Sequence, residues 1–187
     1  MMRPSAVLLA TALTFSPFAA LAESAVPIPP PAAEAPAQSA GLETAVLAGG
    51  CFWGIQAVYQ HVKGVTNAVS GYAGGAQKDA TYDVVSSGRT SHAESVRVTF
   101  NPREISYGKI LQIYFAVAHD PTQLNRQGPD SGPQYRSEIF PQNEAQQKVA
   151  QDYIAQLDKT GVYKRPIVTK TNTMKVPFYA AEGYHQD

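Results

Sequence analysis

The chain has 187 residues, with 15 basic and 15 acidic side chains, four histidines and a single cysteine, Cys51. Balanced charge without a basic run leaves no electrostatic footprint for nucleic acid, and one cysteine excludes an internal disulfide framework. His61, His92, His119 and His185 are scattered without paired metal-ligand spacing, so neither a metal nor another cofactor is expected.

In chain order, Arg3, the apolar stretch Ala6 to Leu21 and the small-residue signal Ala20-Leu21-Ala22 predict a signal peptide over 1–22, cleaved before Glu23. Pro17 and the small residues argue against a retained membrane anchor. The expected location is therefore the periplasm or the exterior. Residues 23–41 are rich in Pro and Ala, a composition too poor to bury a core, and read as a disordered, solvated leader. Residues 42–187 form one domain of ordinary size.

Within that domain, Leu42 to Gly49 reads as a strand and Phe52 to Lys63 as an amphipathic helix, joined by Gly49-Gly50-Cys51. Val65 to Tyr72 and Ala93 to Phe100 read as strands, the second alternating cleanly through Val96, Val98 and Phe100. Ser106 caps a helix with Ile110, Leu111, Ile113, Tyr114 and Val117 on its apolar face, stopped before Pro121. Thr122 to Tyr135 is a long Gly-, Pro- and amide-rich segment. A short strand follows at Ser137 to Phe140. Asn143 with Gln146 predicts a capping box for a helix ended by Gly161, and Pro166 to Lys170 a last strand. Interleaved helices with short strand-to-strand links predict an α+β two-layer sandwich, its mixed or antiparallel sheet built on a ferredoxin-like core.

Cys51 falls at the start of the first helix, where free backbone N–H groups and the dipole favour a thiolate. The alternative is an inert buried thiol, since free Cys is among the most buried residue types. Phe52 and Trp53 suggest apolar walls beside the sulfur. Three segments read as loops carry polar groups that could serve it: Thr81-Tyr82-Asp83, Ser91-His92-Ala93-Glu94 and Gln127 to Arg136. A thiol attacking a polarised bond to oxygen needs a proton donor and hydrogen bonds to that oxygen. Glu94, Tyr82 and Tyr135 supply a carboxylic acid and two phenols. Read without further context, these residues leave a peroxidase, a hydrolase with His92 as base, or a noncatalytic binding module as alternatives.

Gly50-Cys51-Phe52-Trp53-Gly54, Ser91-His92-Ala93-Glu94 and Gln127-Gly128 through Asp130 to Gln134-Tyr135-Arg136-Ser137 together resemble the A-type peptide-methionine sulfoxide reductases. His119-Asp120-Pro121, Asn125-Arg126 and the closing Phe178 to Asp187 stretch fit as well. The resemblance implies reduction of the S epimer of methionine sulfoxide, free or in proteins, and so repair of oxidative damage. It makes Cys51 the nucleophile that is left as a sulfenic acid. It makes Glu94 the proton donor, Tyr82 and Tyr135 donors to the sulfoxide oxygen, Asp130 part of the polar side, and Phe52 and Trp53 the pocket for the ε-methyl. Ser91 stands where the family usually has Gly, and Pro129 and Pro133 replace the more common Asn and Thr. Many relatives carry further cysteines that resolve the oxidised one, and this sequence has none. The implied partner is an external thiol, thioredoxin-like or small, acting on a monomer.

Overall fold

The computed structural model describes residues 25–36, 41–172 and 176–186, so the expected signal peptide lies outside the described residues. The first apolar run forms β1 (Glu43–Ala48), buried along nearly its whole length. After the Gly49-Gly50-Cys51 turn, α1 (Phe52–Gln60) buries Phe52, Ile55 and Tyr59. Then come β2 (Val65–Ala73), the short helix α2 (Tyr82–Ser86), β3 (Ala93–Phe100) and α3 (Tyr107–Ile113). Two-residue strands β4 (Arg126–Gln127) and β5 (Asp130–Ser131) make a small hairpin, followed by β6 (Glu138–Phe140) and α4 (Glu144–Thr160). β7 (Lys170–Thr171) and β8 (Phe178–Ala180) complete the chain's strands among the described residues.

Six strands form one sheet in the order β7-β6-β1-β3-β2-β8. Only β6 and β7 run parallel; the other neighbours are antiparallel. The register sets Ala45 opposite Val98 and Leu47 opposite Val96, so the apolar alternation of both strands faces one side. There α1, α3 and α4 cover the sheet through Phe52, Ile55, Leu111, Tyr114, Tyr153 and Leu157. This is the expected α+β architecture with a mixed sheet. It brings the C-terminal end of β1, the N-terminal end of β3 and the segment before β6 to one edge of the domain.

Several local expectations differ from the structure. Ser106 does cap α3, accepting from the Lys109 N–H at 3.1 Å. The helix then widens into a π turn over Tyr114–Ala118, and that extra residue per turn rotates Val117 out to half exposure while Tyr114 stays buried. Asn143 caps α4, but Gln146 reaches back to the N–H of Gln142 rather than of Asn143. The expected strand at Pro166 to Lys170 shrinks to β7, because the Val168 N–H donates to the Pro121 carbonyl instead of a ladder. β8 and α2 have no counterpart in the sequence reading; Tyr82 opens a helix rather than sitting in a loop.

The leader also differs. Residues 25–36 lie against the domain with Ile28 buried, not solvated. The composition argument holds that these residues cannot build a core of their own. It says nothing of their filling one supplied by α3 and α4.

Candidate active site

Two glycines shape the turn that presents Cys51. Gly50 has φ of 97°, a conformation that favours glycine, and a Cβ there would come within 2.6 Å of Gln127. A Cβ on Gly49 would meet the His119 ring at 2.7 Å. The turn therefore packs its backbone directly on two side chains, and Cys51 emerges half-buried as the N-cap residue of α1.

Beneath the turn lies a closed polar network. The Tyr114 hydroxyl donates to the Ala48 carbonyl at 2.6 Å and lies 3.0 Å from Ser137 Oγ. Ser137 Oγ also meets His119 Nε2 and Thr169 Oγ1, each at 2.7 Å. Burial holds the His119 ring down to about 4, so it is neutral at pH 7. Its Nδ1–H donates to the Tyr114 carbonyl at 3.1 Å, leaving Nε2 to accept from the Ser137 hydroxyl.

Above the turn the polar groups are arranged differently. Glu94, next to the start of β3, is 2 % exposed, and its Oε2 accepts from the Phe52 N–H at 3.1 Å. Burial raises its carboxyl to about 7; the Phe52 N–H opposes this and the Asp130 charge adds to it. The Tyr135 phenol is pushed up to about 12, first by burial and then by Glu94, Asp130, Tyr82 and Cys51. Cys51, Tyr82, Glu94 and Asp130 thus all lie within electrostatic range of Tyr135. Among the described residues the hydroxyls of Tyr82 and Tyr135 have no hydrogen-bond partner.

The thiol corrects one expectation. Burial raises the Cys51 pKa, and the Glu94 and Asp130 charges push it further up; N–H bonds from Trp53 and Gly54 only partly offset them. At neutral pH the resting group is a thiol rather than a dipole-stabilised thiolate. His92 is not its base: His92 Nε2 bonds to the Ala76 carbonyl at 2.9 Å and its ring is fully buried.

Phe52 is buried and Trp53 half-exposed, with ring centroids 6.0 Å apart, giving an apolar wall beside the sulfur. The C-terminal stretch braces that wall, a role the sequence reading did not assign. Trp53 donates its indole N–H to the His185 carbonyl at 3.0 Å, and the His185 ring packs 4.2 Å from that of Tyr82. Glu182 accepts from the Tyr82 N–H and the Tyr72 hydroxyl, each at 2.9 Å. Arg136 is a second unassigned brace: it pairs with Glu138 and donates to the carbonyls of Ser91, His92 and Pro133. It thereby fixes the approach to Glu94 against the turn that carries Tyr135. Among the described residues no three His, Cys, Asp or Glu side chains are grouped to hold a metal.

A half-buried thiol at a glycine turn, two aromatic rings directly after it and a buried, protonatable carboxyl bonded to the same turn define a thiol enzyme acting on a polar oxygen next to an apolar group. Residues 43–187 match the family described as peptide methionine sulfoxide reductase, and the chain belongs to that family. It is 63 % identical over 147 residues to peptide methionine sulfoxide reductase MsrA 2 of Mesorhizobium japonicum, covering 79 % of this chain and 75 % of that one. It is also similar to the crystal structure of reduced Mxr1 from Saccharomyces cerevisiae, with a TM-score of 0.69 and 33 % identity over 80 % of this chain and 84 % of that one. Mxr1 in complex with Trx2 is a more distant neighbour, with a TM-score of 0.52 and 26 % identity over 79 % of this chain and 87 % of that one. The chain is an A-type enzyme that reduces methionine sulfoxide and so repairs oxidative damage.

Proposed function

We propose that the protein reduces the S epimer of methionine sulfoxide, free or in proteins, through a sulfenic acid on Cys51. The observation that supports this reading is the half-buried Cys51 followed directly by the paired Phe52 and Trp53 rings, with the buried, protonatable Glu94 carboxyl bonded to the Phe52 N–H. A sulfoxide sulfur bears a methyl, an oxygen and the remaining side chain. Placing methyl on the apolar wall and oxygen on the polar side, with Cys51 approaching the sulfur, fixes one configuration.

In the reaction, Glu94 protonates the sulfoxide oxygen, and Tyr82 and Tyr135 donate hydrogen bonds to it as charge develops. Asp130 belongs to the polar side, where its charge helps keep the Glu94 carboxyl protonated. As Sγ attacks the sulfoxide sulfur, the Cys51 thiol gives its proton to the Glu94 carboxylate left by protonation of the oxygen, so that Glu94 ends the step as it began. Oxygen then passes to Sγ, so that thiol and sulfoxide become sulfenic acid and thioether, atom for atom. The raised thiol pKa suits a nucleophile released from its proton as substrate arrives.

Cys51 is the one cysteine of the sequence, so its sulfenic acid is returned to the thiol by an outside dithiol or two small thiols, yielding a disulfide and water. The thioredoxin bound to the yeast neighbour supports a thioredoxin-like reductant. The apolar stretch before Glu23 supports export, with oxidised periplasmic or secreted proteins as substrates and the enzyme acting as a monomer. Single-turnover assays with resolved epimers test the proposal: the S epimer alone is expected to yield methionine, with a sulfenic adduct on Cys51 by mass spectrometry. Equal conversion of both epimers would overturn the stereochemical assignment.

A further inference from the structure

Residues 25–36 lie outside the segment that matches the family, yet they make an ordered set of contacts with it. The Val26 N–H donates to the Ala116 carbonyl at 2.9 Å, inside the π turn where regular i→i−4 pairing is lost. Three successive carbonyls, those of residues 28–30, are each read by a side chain. Gln112 donates to Ile28 at 2.9 Å, Tyr153 to Pro29 at 2.6 Å and Gln156 to Pro30 at 2.9 Å. Gln156 also accepts from the Ala32 N–H at 2.8 Å. Ile28 inserts its side chain into the main core, and Val26 and Ala35 pack at its margin.

The far end is fixed by charge-assisted bonds. One Glu34 oxygen accepts from the Ser106 hydroxyl and the other from the Gly108 N–H, each at 2.9 Å. Gly108 is buried at the second position of α3. A Cβ at that position would collide with the Glu34 carboxylate. The helix thus carries a notch in which that carboxylate sits. Prolines suit the segment for a further reason: Pro27, Pro29, Pro30 and Pro31 lack N–H groups and restrict the free chain, so little conformational freedom is lost on docking.

We propose that α3, its π turn and α4 form a recognition groove for an extended, proline-rich acidic peptide, and that the chain's own residues 25–36 are its ligand, bound in cis. Recognition is by an aliphatic anchor at Ile28, by successive carbonyls at 28–30, and by a carboxylate in the Gly108 notch. The bound arm completes the π turn through Ala116, and that turn leads into His119, which backs Gly49 behind Cys51. The arm is therefore a fitted strap across α3, its π turn and α4.

The test uses the chain from Glu23 onward and no sulfoxide chemistry, so its outcome is independent of the proposed function. Hydrogen exchange should show the Val26 and Ala32 amides protected at least tenfold over a free peptide. Ile28→Asp should release the arm and abolish that protection. A labelled synthetic peptide of residues 25–36 should then bind the Ile28→Asp chain, fail on the wild-type chain whose groove is filled, and fail on Ile28→Asp/Gly108→Ala, whose notch is blocked. Free-peptide exchange rates at Val26 and Ala32 in the wild type would overturn the proposal, a measurement that needs no variant to fold. Binding that ignores the Gly108→Ala change would overturn the assigned carboxylate notch.

Discussion

Two polar clusters lie near the Gly49-Gly50-Cys51 turn, one buried throughout and one buried only at Glu94, and they are built on opposite rules. In the lower one, Tyr114, His119, Ser137 and Thr169 satisfy one another and the Ala48 and Tyr114 carbonyls. In the upper one, Glu94 accepts a single N–H, and the Tyr82 and Tyr135 hydroxyls have no partner among the described residues. A completed network adds stability and fixes geometry. An incomplete one sacrifices stability to keep donors aimed at a substrate atom. A satisfied Tyr, His, Ser and Thr set thus contrasts with a Glu and Tyr set that keeps donors unpaired.

Mutations should separate the two clusters. Cys51→Ser is expected to reduce methionine formation to background, since no other thiol is present in the sequence; residual turnover in a single-turnover assay would place the nucleophile elsewhere. Glu94→Gln should slow sulfoxide reduction by about 10²-fold or more while leaving KM near its original value. Tyr82→Phe and Tyr135→Phe should each cost roughly 10-fold or more, as each removes one of two donors to the developing charge. Loss of both together should approach the effect of removing Glu94.

A smaller effect appears in pH dependence. Glu94 donates only when protonated, so the single-turnover rate should fall as pH rises through about 7, and Glu94→Gln should lack that limb. The same shift governs stability. The folded carboxyl is raised above its unfolded value, so the folded state binds the extra proton. Its contribution is fully present below the unfolded value of 4.5 and is lost as pH rises through about 7. Glu94→Gln should therefore raise Tm above pH 7. Ser137→Ala, in the lower cluster, should do the reverse: a loss of about 1–3 kcal/mol of stability, seen in denaturant melts, with the single-turnover rate within about twofold.

Much of the site was legible because its elements are local. Val96, Val98 and Phe100 alternate without interruption, and β3 runs over the expected residues. The glycines before Cys51 announce a turn into a helix, and Ser106 and Asn143 announce caps. What failed depended on contacts between distant segments. The π turn displaced Val117 because tertiary packing at Tyr114 and His119 outweighed regular periodicity. Pro166 to Thr169 left the sheet because the Pro121 carbonyl offered a partner. Glu182 and His185 became braces only once β8 brought the C-terminal stretch beside Tyr82 and Trp53. The thiolate expectation failed likewise: a helix start is visible in sequence, but the burial and carboxylate charges that outweigh it are not.

By itself, then, the sequence determined where the single thiol falls, the turn that presents it and the set of side chains able to serve it, because residue type, spacing and glycine placement are local properties. Only the tertiary structure decided which of those groups carry protons and which donors stay free, because ionisation and hydrogen-bond satisfaction depend on what is packed around each atom. It also decided that the proline-rich segment lies in a groove. A few apolar side chains and one carboxylate are too little to fold alone, yet sufficient to dock where α3 and α4 have already provided the complementary surface.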